Sequence, residues 1–314
     1  MAQRLIGKDS PMRSSSWLRP FICGGMVVAL WGCCDLKKDD TPLPEVVTTA
    51  EHIKQFADRA AILTHLKLRG SMELSWLDAD KSRQSQSLDF TLRLSQRPAT
   101  TEYQVQPADL LLLGKFAGQD VAEVGVNREK LWIISRHDKP TAVVGNAEDF
   151  RYQLPGSKTP QGLITTLQPL LLPHLLGITA PSVDRNHVLQ WVQDEPAVYH
   201  LFTVGLALFE DPAFYLARSV EINRRTNQVE AIRLLDHEGA TVALAKLSQY
   251  APVTNKAGEK QATTCAYRIE ISYPKQLATL LLKMDSIELT TDRPEAFATP
   301  DFAGQSLPVQ PLQP

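Results

Sequence analysis

Seven histidines, four cysteines and 35 carboxylates are the groups in this 314-residue chain able to hold a metal, attack a substrate or move a proton. Their spacing supports none of these roles. His52, His65, His137, His174, His187, His200 and His237 share no metal-ligand spacing. His187 and His200 are expected nearest one another, as surface or hydrogen-bonded side chains rather than as ligands. Asp236-His237-Glu238 has the composition of an acid/base cluster, but it precedes Gly239 between two strand-like runs and reads as a solvated hairpin turn. Arg218 and Glu221 are expected on the outer face of a strand, paired across to their neighbours. There is no Gly-x-Ser-x-Gly elbow, no Walker-type phosphate loop and no His-Glu-x-x-His. The chain is therefore expected not to be an enzyme and to carry no metal or cofactor.

The chemistry left to it is apolar, and two alternating stretches set it out. In LKLRGSMELSW, Leu66, Leu68, Met72, Leu74 and Trp76 are separated by polar residues; in SLDFTLRLS, Leu88, Phe90, Leu92 and Leu94 are. Period-two alternation puts one set on each face of a strand, so these are two amphipathic antiparallel strands with one apolar face. Tyr103 and Val105 suggest another strand over 101–106. Strands follow at Leu110 to Phe116, Val121 to Val126 and Leu131 to Ser135, with Asn127-Arg128 as a tight turn. Further strands are expected at Tyr199 to Leu206, 214–222, 229–235, 241–250, 266–273 and 278–291, with a polar loop from Gln249 to Thr264. Trp76, Tyr103 and Trp132 either line a ligand cavity or fill a core.

Two helical stretches interrupt the strands. Residues 49–65 place Ile53, Phe56, Ala57, Ala60 and Leu63 at helical spacing behind a threonine cap. Residues 162–178, GLITTLQPLLLPHLLGI, are apolar on all sides with Pro169 and Pro173 inside, which predicts a broken or short buried helix. Leu167, Leu170 and Leu171 would close it over the open face of the sheet. Val188 to Asp194 reads as a short helical or edge segment. With no clear linker between the halves, a single domain over 49–304 is expected, followed by a Pro-rich tail over 305–314.

The first 32 residues read as an address. Arg13 and Arg19 precede an apolar run from Phe21 to Trp31, too short to span a membrane, which ends in Gly32-Cys33-Cys34. The signal begins at Met1 or at Met12. Leu30-Trp31-Gly32-Cys33 resembles a bacterial lipobox, which would leave Cys33 as a lipidated N-terminus, with Cys34 as the alternative and a plain cleaved signal as the other reading. Residues 33–48 then form a polar, Pro-bearing tether. Without residues 1–32 the chain keeps 29 basic and 34 acidic residues, a net charge of −5. That balance excludes a nucleic-acid surface and polybasic attraction to anionic lipid. Such sparing use of cysteine leaves stability to the core.

Beyond these patterns, RSVEINRRTNQVEAIRLLDHEGATVALAKLSQY (218–250) resembles the LolA/LolB-like superfamily of periplasmic lipoprotein carriers and outer-membrane lipoproteins. LKLRGSMELSW, NREKLWIIS, RIEISYP and DRPEAFATPDFAG follow the same order. The resemblance implies an α+β fold: an incomplete antiparallel β-barrel, roughly 10–12 strands here by the reading above, wrapped around short helices and enclosing an apolar cavity for acyl chains. The cavity would be lined by Leu68, Met72, Leu74, Trp76, Phe90, Leu92, Leu94, Tyr103, Trp132, Leu280 and Leu282. The expected function is a lipid-anchored envelope protein, most simply in the outer membrane facing the periplasm. It would bind lipid or lipoprotein acyl chains and serve their trafficking. The alternative is a structural or interaction lipoprotein whose interior is filled by its own side chains.

Overall fold

The computed structural model describes residues 48–77, 80–96, 108–136, 140–147, 169, 171–179, 187–195, 197–207 and 213–311. The expectations for the signal, Cys33, the tether, Tyr103, Leu167 and Leu170 fall outside them.

The chain enters through helix α1 (Thr49–Ile62). Thr48 and Glu51 form a reciprocal capping box, which satisfies two donors that the first turn would otherwise leave open. The alternating stretches then become β1 (His65–Leu77) and β2 (Arg83–Gln96), antiparallel neighbours in register from His65 opposite Ser95 to Leu77 opposite Arg83. Strands β3 (Ala108–Phe116), β4 (Gln119–Val126), β5 (Lys130–Ser135) and β6 (Thr141–Asn146) extend this meander. The second half runs through β7 (His187–Asp194), β8 (Val198–Ala207), β9 (Ala213–Asn223), β10 (Val229–Leu235), β11 (Thr241–Thr254), β12 (Lys260–Tyr273) and β13 (Ala278–Leu289). Strand β13 then pairs antiparallel with β1, so the two meanders join into one sheet.

The result is an open, antiparallel-dominated sheet of 14 strands in the order β14-β6-β5-β4-β3-β2-β1-β13-β12-β11-β10-β9-β8-β7. That exceeds the 10–12 strands expected. The polar loop expected from Gln249 to Thr264 is mostly strand: Tyr250 to Pro252 pair with Ala266 to Thr264, leaving a short turn at 255–259. Strand β14 (Val309–Pro311) forms inside the Pro-rich tail, parallel to β6. An edge strand tolerates proline because one row of its backbone groups has no ladder partner. Residues 188–194 take the edge alternative, as β7.

Two glycines permit close approaches that shape the sheet. At Gly70, beside the bulge between β1 and β13, an added Cβ would fall 1.9 Å from the Lys283 carbonyl oxygen. At Gly125 it would fall 1.9 Å from the Trp132 ring. Of the apolar stretch expected to be a broken helix, the described part is one turn, α2 (Leu172–Leu175), with Pro173 in its first turn, where a missing N–H costs nothing.

Candidate functional site

The cross-strand registers lay the alternating apolar residues into rows across one face. Leu68 opposes Leu92, Leu92 opposes Leu112, then come Val124, Ile133 and Val143. On the other side of β1, Leu74 opposes Leu280, followed by Ile271, Ala245, Ile232, Val220 and Leu201. Both rows belong to a single apolar cluster. Of the residues expected to line a cavity, Leu68, Met72, Leu74, Phe90, Leu92, Leu94, Leu280 and Leu282 lie buried in it, and Trp76 packs half-buried against it. Leu171, from the expected lid, also packs there, with Leu172, Leu175, Leu176 and Ile178.

Short helical pieces touch this face at named points. Ile53 and Phe56 of α1 pack on the cluster. His52 meets the Tyr199 ring edge-on at 4.4 Å, and Arg59 donates to the Thr264 carbonyl at 3.0 Å. After α2, Gly177 adopts φ +67°, and a Cβ there would stand 2.9 Å from Leu247 Cδ2. Gln96 Nε2 donates to the carbonyls of both Leu63 (2.8 Å) and Ile178 (3.0 Å), tying the end of α1 to the segment after α2.

Trp132 is a correction. It lies on the opposite face, in a second cluster with Ile134 and Ala142, against which Phe302 and Leu307 pack. Its indole N–H donates to Glu123 at 3.0 Å, and Glu123 also takes a 2.9 Å ion pair from Arg136. The residues after β13 thus strap the outer face before ending in β14. Where the strap begins, Lys67, Arg93, Lys256, Arg293 and Glu288 surround a pocket of about 120 Å³. Burial there, with Arg69, Arg93 and Arg293 nearby, lowers the Lys67 ammonium from its ordinary value.

No family model matches the chain, and no curated protein matches it. Among solved structures it aligns with an outer-membrane lipoprotein-sorting protein domain from Vibrio parahaemolyticus at 9% identity, covering 79% of this chain and 94% of that one, TM-score 0.46. It aligns with a LolA superfamily protein from Nitrosomonas europaea at 9% identity, covering 81% and 99%, TM-score 0.44. A DUF1329 family protein from Desulfovibrio piger aligns at 8% identity, covering 80% and 97%, TM-score 0.49.

Several of the described titratable groups serve the fold. His187 opposes Gly205 and His200 opposes Gln193, which separates the two histidines by about 17 Å of strand; they do not approach as expected. Among the described residues no three metal-ligating side chains converge. Asp236 is not solvated as expected but 2% exposed. Burial pushes its carboxyl up, and the Lys275 ammonium at 2.6 Å with the backbone N–H groups of Ala240 and Glu238 outweighs that, holding it below the usual range. Tyr250 donates to the Val229 carbonyl at 2.6 Å, and burial raises its hydroxyl to about 12.

Arg218 is the second correction. It lies on the apolar face in phase with Val220 and Ile222, not on the outer face, and is 7% exposed. Its even position, shared with Leu216, Val220 and Ile222, is the signal in the sequence that identifies it.

Proposed function

We propose that this protein is an envelope lipoprotein, anchored through Cys33, that holds acyl chains of lipid or of lipidated protein against its apolar face. The sheet in this reading wraps around α1 and the 171–178 segment, which together form a displaceable cover. One observation carries it: an unbroken apolar cluster crosses both halves of an open sheet, and the pieces described over it are one helix and a single turn. Displacing such a cover exposes a surface on which each acyl CH₂ gains about 0.8 kcal/mol by burial. The leader read in residues 1–32 and the tether support delivery to the periplasmic side of the outer membrane.

A second reading, a structural lipoprotein with a self-filled interior, is favoured by the tightness of the same cluster, where Leu92 and Leu201 are 0% exposed. Native mass spectrometry with lipid extraction separates the two. A Cys33→Ser protein exported to the periplasm should be released in soluble form and co-purify with acyl lipid. Trp76→Glu, half-buried at the rim of the face, should reduce that lipid while leaving the circular dichroism unchanged. A lipid-free protein that also ignores added palmitate would sink the carrier reading and leave the structural one.

A further inference from the structure

Arg218 is the one cation set into the described apolar face without an anion. In register it stands between Leu234 on β10 and Thr203 on β8, two residues along β9 from Val220 in the row Ile232–Val220–Leu201. Among the described residues its Nε has no acceptor, and the buried hydroxyl of Thr203 has no partner either. Burial alone acts on the guanidinium and lowers it from 12.5 to about 10, so it remains charged at neutral pH.

A buried charge without a counter-ion is among the least favourable arrangements a fold can hold, and an unpartnered hydroxyl beside it adds to the cost. Arginines that merely cover apolar surface run their stems along it and leave the guanidinium in water. At 7% exposure Arg218 does not do so. A cross-strand carboxylate would neutralise it, but its register partners are leucine and threonine. Among the described residues, those around it supply an apolar wall and a hydroxyl donor, and no anion.

We propose that Arg218, with the hydroxyl of Thr203, receives the anionic headgroup of an acyl ligand, a carboxylate or a phosphate, whose chain lies along the neighbouring apolar row. The proposal rests on the acyl-binding reading above and gives it a ligand class: lipids with a negative head close to the chain. A guanidinium presents a planar fork of donors to either oxyanion, and the threonine hydroxyl adds one more. The row beside it, from Leu201 through Val220, Ile232, Ala245, Ile271 and Leu280 to Leu74, crosses six interstrand gaps of about 4.8 Å, roughly 29 Å of apolar surface for the chain.

The test compares palmitate, lysophosphatidylglycerol and 1-hexadecanol, which share a long chain and differ in head, as titrants of the full-length protein. An anionic head should bind about tenfold to a hundredfold more tightly than the alcohol. Tighter binding of lysophosphatidylglycerol would identify a phosphate head, and tighter binding of palmitate a carboxylate. In Arg218→Met the anion-to-alcohol affinity ratio should fall towards one, whereas Arg218→Lys should keep most of it and Thr203→Val part. Ligand-free Arg218→Met should melt above the unmodified protein, because an uncompensated buried charge has been replaced by an apolar side chain of similar length. Equal affinity for all three probes, or a ratio untouched by Arg218→Met, would overturn the role of Arg218 and leave acyl binding standing. Binding of none of the three would remove the acyl reading itself.

Discussion

Asp236 and Lys67 show how the same sheet uses charge in opposite senses. Asp236 closes the β10–β11 turn by accepting from two backbone N–H groups and from Lys275. Removing those acceptors with Asp236→Ala should cost on the order of 2 kcal/mol at pH 7, measured by urea unfolding. Because the folded carboxyl titrates below its ordinary 3.8, this contribution is present above about pH 3.8 and lost as the pH falls through the folded value. The gap between the two proteins should therefore narrow towards pH 3; a gap unchanged from pH 7 would show that the carboxylate is not its source. Lys67 instead stands directly opposite Arg93, a like-charge cross-strand pair, with Glu288 on its other side. Its folded pKa lies below 10.5, so its charge is a cost at neutral pH that fades as the pH rises through that lowered value. Lys67→Met should raise Tm at pH 7, and the gain should shrink as the pH approaches 10.5. A gain that held constant across that range would assign it to packing.

Elements differ in how openly their sequences announce them, and the strap over the outer face explains why. Strands β1 and β2 are legible because one face is apolar and the other polar, so residue type and residue face coincide. In β5, KLWIIS, Leu131, Trp132, Ile133 and Ile134 are all buried, because Phe302 and Leu307 pack on the face that would otherwise be wet. Alternation is lost there, and Trp132 cannot be assigned to a face from sequence. Strands β11 and β12 are hidden by the opposite condition: Pro252, Thr254, Lys260 and Thr264 look like loop residues and are held extended by one another's ladder. Arg218 follows the period, but its charge argues for the outer face, and in this instance the period prevails. If the strap keeps Trp132 dry, Phe302→Ala should shift tryptophan emission to the red and cost about 3 kcal/mol, somewhat less if the strap collapses inward. An unshifted spectrum in a fully folded variant would mean that Phe302 does not shield the indole. Gly125→Ala should be more damaging than its size suggests, since its Cβ would enter the Trp132 ring and the strap leaves that ring little room to move.

At the scale of the whole sheet, the acyl-binding reading requires the proposed cover to be weaker than the wall beneath it. Strands β1, β12 and β13 are laddered on both sides, and Leu92, Ile271 and Leu280 lie deep in the cluster. Among the described residues, the backbone bonds of the segment after residue 171 amount to one turn, from Leu175 to Leu171 at 3.1 Å, from Leu176 to Leu172 at 3.0 Å and from Gly177 to His174 at 3.2 Å, with the Gln96 link to Ile178 beside them. A single turn is below the length at which a helix sustains itself, so this segment depends on its apolar contacts with the sheet. Exchange of buried amides proceeds through the smallest opening that exposes them, and segments with few ladder bonds open at lower free energy than the core. Native-state hydrogen exchange should therefore find Leu175 and Leu176 exchanging at least about a hundredfold faster than Leu92 and Ile271, through an opening insensitive to low urea. Saturating palmitate should change exchange in residues 171–178 and leave β4 and β5 as they were, since the row proposed for the chain runs from β8 to β1 and does not reach those strands. Gln96→Ala, which cuts the tie between the cover and the end of α1, should speed exchange in the cover and acyl uptake together. If instead the cover exchanged only on global unfolding, at the rate of the core strands and indifferent to palmitate, the interior would be a closed core and the acyl-binding reading would fall.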